Sequence, residues 1–146
     1  MAMHLVFDLD NTLTDDFGSV VRPGAVELLN TLQRDGHTLS VWTHSERDRA
    51  RWLLRKLGLR SYFAQVVCRE DYDPGNLDVG KDIRKIEGDW LIDDDPKQIE
   101  FVRSIGKRGF LISHFHKGRP VNSVELDQLY RKIRRSNGLF GFLLNS

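Results

Sequence analysis

An apolar run, Leu5-Val6-Phe7, stops abruptly in Asp8-Leu9-Asp10-Asn11-Thr12. A short continuous apolar run reads as a strand buried on both faces, as in a parallel sheet. Carboxylates are costly in such a place unless the strand has just reached the open end of the sheet. Side chains alternate along a strand, so Asp8 and Asp10 point the same way. Two acids are thus aimed at the edge where ligands bind in open α/β sheets.

The rest of the chain alternates strand and helix. Pro23-Gly24 opens a helix in which Ala25, Leu28, Leu29 and Leu32 fall at i, i+3, i+4 and i+7, and Gly36 stands at the expected C-cap. Residues 37–43 read as a second strand. Ser45 is the expected cap of a second helix, with Ala50, Leu53, Leu54 and Leu57 as its apolar stripe and Gly58 as its stop. Residues 64–68 read as a third strand, and 71–80, rich in Asp, Pro, Gly and Asn, as a loop. A short helix over 81–86 leads to a fourth strand, Asp89-Trp90-Leu91-Ile92, which ends in Asp93-Asp94-Asp95-Pro96. Pro96 starts another helix, with Ile99, Phe101, Val102 and Ile105 inward, and residues 110–112 give a fifth strand. Asn122 with Glu125 reads as a capping box for a last helix carrying Leu126, Leu129, Tyr130 and Ile133. Such alternation implies an α/β fold: a doubly wound, Rossmann-like three-layer sandwich around a mainly parallel sheet of about five strands.

Length and charge set the frame. The 146 residues suit one domain over 1–146, with the motif-bearing core at about 4–115 and a C-terminal helix and apolar tail at about 122–146. With 22 Lys and Arg against 21 Asp and Glu, no global field argues for nucleic acid or membrane. A lone Cys68 leaves no internal disulfide and fits a reducing compartment. Residues 1–4 do not resemble a signal-peptide start, and no apolar run reaches transmembrane length, so a cytoplasmic protein is expected, with the nucleus as the alternative.

Four features fall at strand ends or in the loops facing them. They are Asp8 with Asp10, Thr43-His44-Ser45, Lys81, and Asp93-Asp94-Asp95. Carboxylates from two strands suit a hard cation such as Mg²⁺, which takes one or two carboxylates plus phosphate oxygens. A hydroxyl and an ammonium suit the other oxygens of a phosphoryl group. Three adjacent aspartates repel one another, and a bound cation would relieve them.

These motifs, in this order, resemble those of the haloacid dehalogenase superfamily. Asp8-Leu9-Asp10-Asn11-Thr12 matches its first motif, Thr43 in Val41-Trp42-Thr43 the second, Lys81 the third and Asp93-Asp94 the fourth. Gly80-Lys81-Asp82-Ile83 and Ile92-Asp93-Asp94-Asp95-Pro96 are most similar to the group related to phosphatases of the polymerase C-terminal domain (the NLI-interacting-factor-like group), with the magnesium-dependent acid phosphatases second. The long insertion of the polymerase-tail enzymes is missing here. The connections over 13–22 and 70–80 are also too short for a cap domain.

The resemblance implies a Mg²⁺-dependent phosphomonoester hydrolase working through an aspartyl-phosphate on Asp8. Asp10 would protonate the leaving oxygen and then activate water. Thr43 and Lys81 would hold phosphoryl oxygens. The metal would be held by Asp8, the Asp10 main-chain carbonyl and Asp94, with Asp93 behind them. A site without a lid admits a bulky substrate such as a phosphoprotein, or a small phosphate ester. A nucleic-acid-end phosphatase and a catalytically vestigial binding module are the alternatives.

Other features have blander readings. Asp95 reads as the N-cap ahead of Pro96, and His114 and His116 as a solvent-facing pair. His44, beside Thr43, is a candidate contact to the leaving group. Trp52 lies opposite the apolar stripe of its helix, shielded by the Arg51 and Arg55 stems. Arg131, Lys132, Arg134 and Arg135 form the solvated side of the last helix. The apolar tail 138–144 either packs back onto the core or, like the Trp52 face, offers a surface for a homodimer.

Overall fold

The computed structural model describes residues 2–136. Five strands alternate with helices: β1 (His4–Phe7), α1 (Ala25–Arg34), β2 (Thr38–Trp42), α2 (Arg47–Lys56), β3 (Gln65–Val67), α3 (Arg69–Tyr72), β4 (Trp90–Asp93), α4 (Pro96–Ser104), β5 (Arg108–Leu111) and α5 (Glu125–Ser136). The sheet order is β3-β2-β1-β4-β5, and every pairing is parallel. The chain runs outward from β1 to β3 and then returns to the other side of β1. In such sheets the ligand crevice lies beyond the carboxyl ends of the strands, where the winding reverses. Here those strands are β1 and β4.

The pleat sorts the core. Leu5 and Phe7 join Leu29, Leu32, Leu54, Leu129 and Ile133 on one face, so α1, α2 and α5 cover it. Val6 points the other way, to Leu91, Ile99 and Val102 beneath α4. Each of these side chains is almost fully buried and contributes roughly 1.5–3 kcal/mol by leaving water. Phe7 pairs with Val41 on one side and Ile92 on the other, and the Asp8 N–H extends the ladder to the Ile92 carbonyl at 2.9 Å. Asp8 and Asp93 therefore leave the sheet side by side.

Several helix ends differ from expectation. Glu46, not Ser45, precedes α2 and its side chain does not cap the helix; the Ser45 hydroxyl accepts a bond from Arg49 instead. The helix expected over 81–86 is a single 3₁₀ turn, Ile83–Ile86, capped by Asp82. At α5, Asn122 accepts the Val124 N–H, but Glu125 turns away to the Ser113 hydroxyl and N–H, at 2.7 and 3.0 Å, so the capping box does not close. Gly36 and Gly58 do end α1 and α2, with φ of +92° and +70°, a conformation that costs glycine little. Residues 138–144 lie outside the described residues.

The two connections stay small. Residues 13–22 make a tight turn closed by a Thr14–Val21 bridge and by Asp15, which accepts the Ser19 and Val20 N–H groups at 2.7 and 3.0 Å. Residues 73–80 wrap around buried Asp73, which accepts the Leu77 N–H at 2.7 Å. No cap domain is present among the described residues, and none of their helices is long and apolar enough to cross a membrane.

Candidate active site

The centre is built on Lys81. Gly80 lies so close to α4 that an added Cβ would meet the Phe101 ring at 2.7 Å, and the residue after it is buried. Lys81 is only 3% exposed, and its N–H is held by the Gln98 carbonyl oxygen of the side chain at 2.9 Å. Its Nζ donates to Asp8 Oδ1 at 2.9 Å and to Asp93 Oδ2 at 2.7 Å. One ammonium thus faces two buried carboxylates, and the group carries surplus negative charge. Burial, offset only in part by Lys81, pushes Asp8 and Asp93 each up to about 6. Burial opposes the Lys81 charge as well, but the two carboxylates outweigh it and hold Lys81 above the ordinary lysine range.

Asp94 completes the cluster. Thr12 Oγ1 lies 3.0 Å from Asp8 Oδ2 and 3.2 Å from Asp94 Oδ1, so its one proton serves either acid in turn. Asp8, Asp93 and Asp94 each place an oxygen within 4.8 Å of the other two. An all-oxygen set of this kind suits a hard cation such as Mg²⁺. Both oxygens of Asp93 are bonded, to Lys81 and to the Asp95 N–H at 3.0 Å, while Asp8 and Asp94 share the Thr12 hydroxyl. Asp95 turns away and caps α4 through the Lys97 N–H at 2.9 Å. Three consecutive aspartates have three separate tasks.

Around this centre lies an open cleft of about 440 Å³, lined by seven aspartates, Lys81, His44 and His114 among others. Asp10 stands at its rim, where Arg49 of α2 grips both carboxylate oxygens at 2.8 and 3.0 Å. Thr43 is buried at the end of β2, where its Oγ1 accepts the Ser45 N–H at 3.0 Å; it makes no bond to Asp8, Lys81 or Asp94. His44 bonds to Tyr72 Oη and Asn76 Oδ1, at 2.9 and 2.7 Å, and so secures the 73–80 loop. The histidine pair faces solvent as expected, its rings 5.8 Å apart and His114 the more exposed, but each ring also bonds to an acid: His114 to Asp94, and His116 to Asp16 at 2.8 Å. Trp52 is exposed as expected, and the Lys56 Nζ lies over its ring at 4.7 Å.

Reading from sequence missed Arg22, Arg49 and His114. Arg22 is buried and ties the loop after β1 to the segment after β5, donating to the carbonyls of Thr12 (2.6 Å), Asn11 (3.1 Å) and Ser113. Nothing in the local pattern distinguishes it from a surface arginine. Arg49 is one of five cations in α2, and only the direction of the helix selects it. His114 did carry a signal, because it closely follows β5 on the side of the sheet where the other acids gather.

Residues 3–138 match the model of the NLI interacting factor-like phosphatases. The chain belongs to this family. Its fold is that of haloacid dehalogenase hydrolases. A hydrolase from Streptococcus pneumoniae superposes with a TM-score of 0.67 at 15% identity, covering 89% of this chain and 98% of the other. A superfamily hydrolase from Ehrlichia chaffeensis gives 0.62 at 14% identity, covering 92% and 98%. D,D-heptose 1,7-bisphosphate phosphatase from B. bronchiseptica, solved with magnesium and phosphate, gives 0.61 at 12%, covering 92% and 99%. A phosphoglycolate phosphatase of Agrobacterium fabrum is 42% identical over 50 residues, a stretch that spans 34% of this chain and 22% of that relative.

Proposed function

We propose that this phosphatase hydrolyses phosphomonoesters with Mg²⁺ through an aspartyl-phosphate on Asp8. The observation that carries the proposal is the buried Asp8–Lys81–Asp93 group. Lys81 fixes one Asp8 oxygen, Thr12 lies against the other, and the surplus negative charge calls for a cation between Asp8 and Asp94. Mg²⁺, held by Asp8, Asp94 and the Asp10 carbonyl, would neutralise phosphoryl charge.

In the first half-reaction an Asp8 oxygen bonds to phosphorus as the ester oxygen leaves, and Asp10 supplies the proton that oxygen takes up. In the second, Asp10 takes a proton from water, the water oxygen bonds to phosphorus, and Asp8 is released with inorganic phosphate. Lys81 stabilises charge in both halves, with Thr43 as a further phosphoryl ligand and Asp93 fixing Lys81.

The substrate class we favour is a phosphoprotein. No cap among the described residues restricts the cleft, and its seven aspartates oppose a polyanionic oligonucleotide end. Turnover of an aryl phosphate in Mg²⁺, its loss in EDTA and its loss in Asp8→Asn are the expected results. Equal turnover in all three arms would refute the mechanism. Phosphopeptides and phosphorylated oligonucleotides, assayed side by side, test the substrate class.

A further inference from the structure

Arg49 is more tightly engaged than its position on an exposed helix requires. Its guanidinium takes Asp10 Oδ1 at 2.8 Å and Oδ2 at 3.0 Å, and also donates to Ser45 Oγ at 2.9 Å. The ion pair is wet, with 40% of the arginine and 29% of the aspartate side chain exposed, and such pairs add little to stability. Arg49 is also not what holds α2. The start of that helix is clamped separately, by Glu70 on the Arg47 N–H at 2.9 and 3.1 Å, by Arg47 on Asp71, and by Arg69 on Glu46 at 2.9 Å. A bidentate fork on a rim carboxylate, without a stability role, restricts where that carboxylate can be.

Acid–base catalysis needs that restriction. A carboxyl group must stand within hydrogen-bond reach of the leaving oxygen, and a half-exposed aspartate on a loop otherwise samples several rotamers. The planar guanidinium fixes position and orientation together, as an ammonium does not. Resting on the proposed role of Asp10, we infer that Arg49 is a positioning residue. It holds the Asp10 carboxyl at the cleft mouth for the leaving group. One of its two contacts is exchanged for the leaving oxygen during transfer, while Ser45 and the remaining contact keep the fork in place.

The test is dependence on the leaving group. A good leaving group departs without a proton, whereas an alkoxide requires one. Arg49→Ala should lower kcat/KM for an alkyl phosphate by about 10-fold or more, a part of the roughly 10²–10⁴-fold that a general acid supplies, and for p-nitrophenyl phosphate by clearly less. Arg49→Lys, which keeps the charge without the fork, should fall between. In an Asp10→Asn background, Arg49→Ala should add no further loss, since coupled residues are not additive. Equal losses on both esters, no loss on either, or a full additional loss in the Asp10→Asn background would overturn the inference. Asp8→Asn, run in parallel, keeps the two readings apart: if it retains turnover, the phosphoryl-enzyme mechanism fails whatever Arg49 does.

Discussion

The buried centre and the rim of the cleft use the same chemistry, charged side chains in pairs, with opposite physical consequences. At the centre, Lys81 sits between Asp8 and Asp93 with almost no water. At the rim, Arg49 holds Asp10 and His114 meets Asp94 in a partly wet setting. Desolvation makes the first group depend on Lys81, because removing that one ammonium leaves two carboxylates buried and unpaired. Solvent screens the second, so its members affect geometry more than stability. The same residues that hold the centre together also set its charge, and the rim is free to change with the substrate.

Asp8→Asn should separate the roles at the centre most sharply. Turnover should fall by on the order of 10⁴-fold or more. The metal-free protein should melt no lower than wild type, because the change removes one of two acids competing for a single lysine. Kinetics and thermal melts in EDTA check both halves. Lys81→Met should do the reverse to stability, costing about 3–5 kcal/mol in urea unfolding by leaving two buried carboxylates without a cation.

The pH dependence follows from the same pair. Asp8 and Asp93 hold protons more tightly folded, at about 6, than at the ordinary value of 3.8. The stability they lend is complete below 3.8 and is lost as the pH rises through about 6. A cation that binds the ionised acids compensates for that loss. The gap between the melting temperatures in Mg²⁺ and in EDTA should therefore widen between pH 4 and 7, and a gap independent of pH would break the contrast.

Smaller effects belong to the edges. Thr12→Val, which removes the hydroxyl between Asp8 and Asp94, should cost about 1 kcal/mol in urea unfolding. Arg49→Ala should cost less than about 1 kcal/mol in the same measurement.

Much of this was legible in the chain. The abrupt change from Leu5-Val6-Phe7 to Asp8 marks a buried strand reaching an open edge, and Trp90-Leu91-Ile92 before Asp93 marks its neighbour. Alternation then gives a parallel sheet, and parallel winding brings both acid groups to one side. The bonds that run between distant loops were not legible. Arg22 reaches Ser113 across 91 positions, and Arg49 reaches Asp10 across 39; an arginine bound to a carbonyl or a carboxylate has the same letter as one in water. Helix starts failed for a related reason. Glu125 left its expected capping partner for Ser113, a choice set by how α5 docks against the segment after β5.

The most direct measurement is chemical trapping of the enzyme during turnover. With Mg²⁺ and an aryl phosphate, acid quenching followed by borohydride reduction converts an acyl phosphate on aspartate to homoserine, which peptide mass spectrometry locates. Homoserine at position 8 is the expected result. Full turnover with position 8 unmodified, or with the label on another residue, would contradict the assignment of Asp8 as the nucleophile.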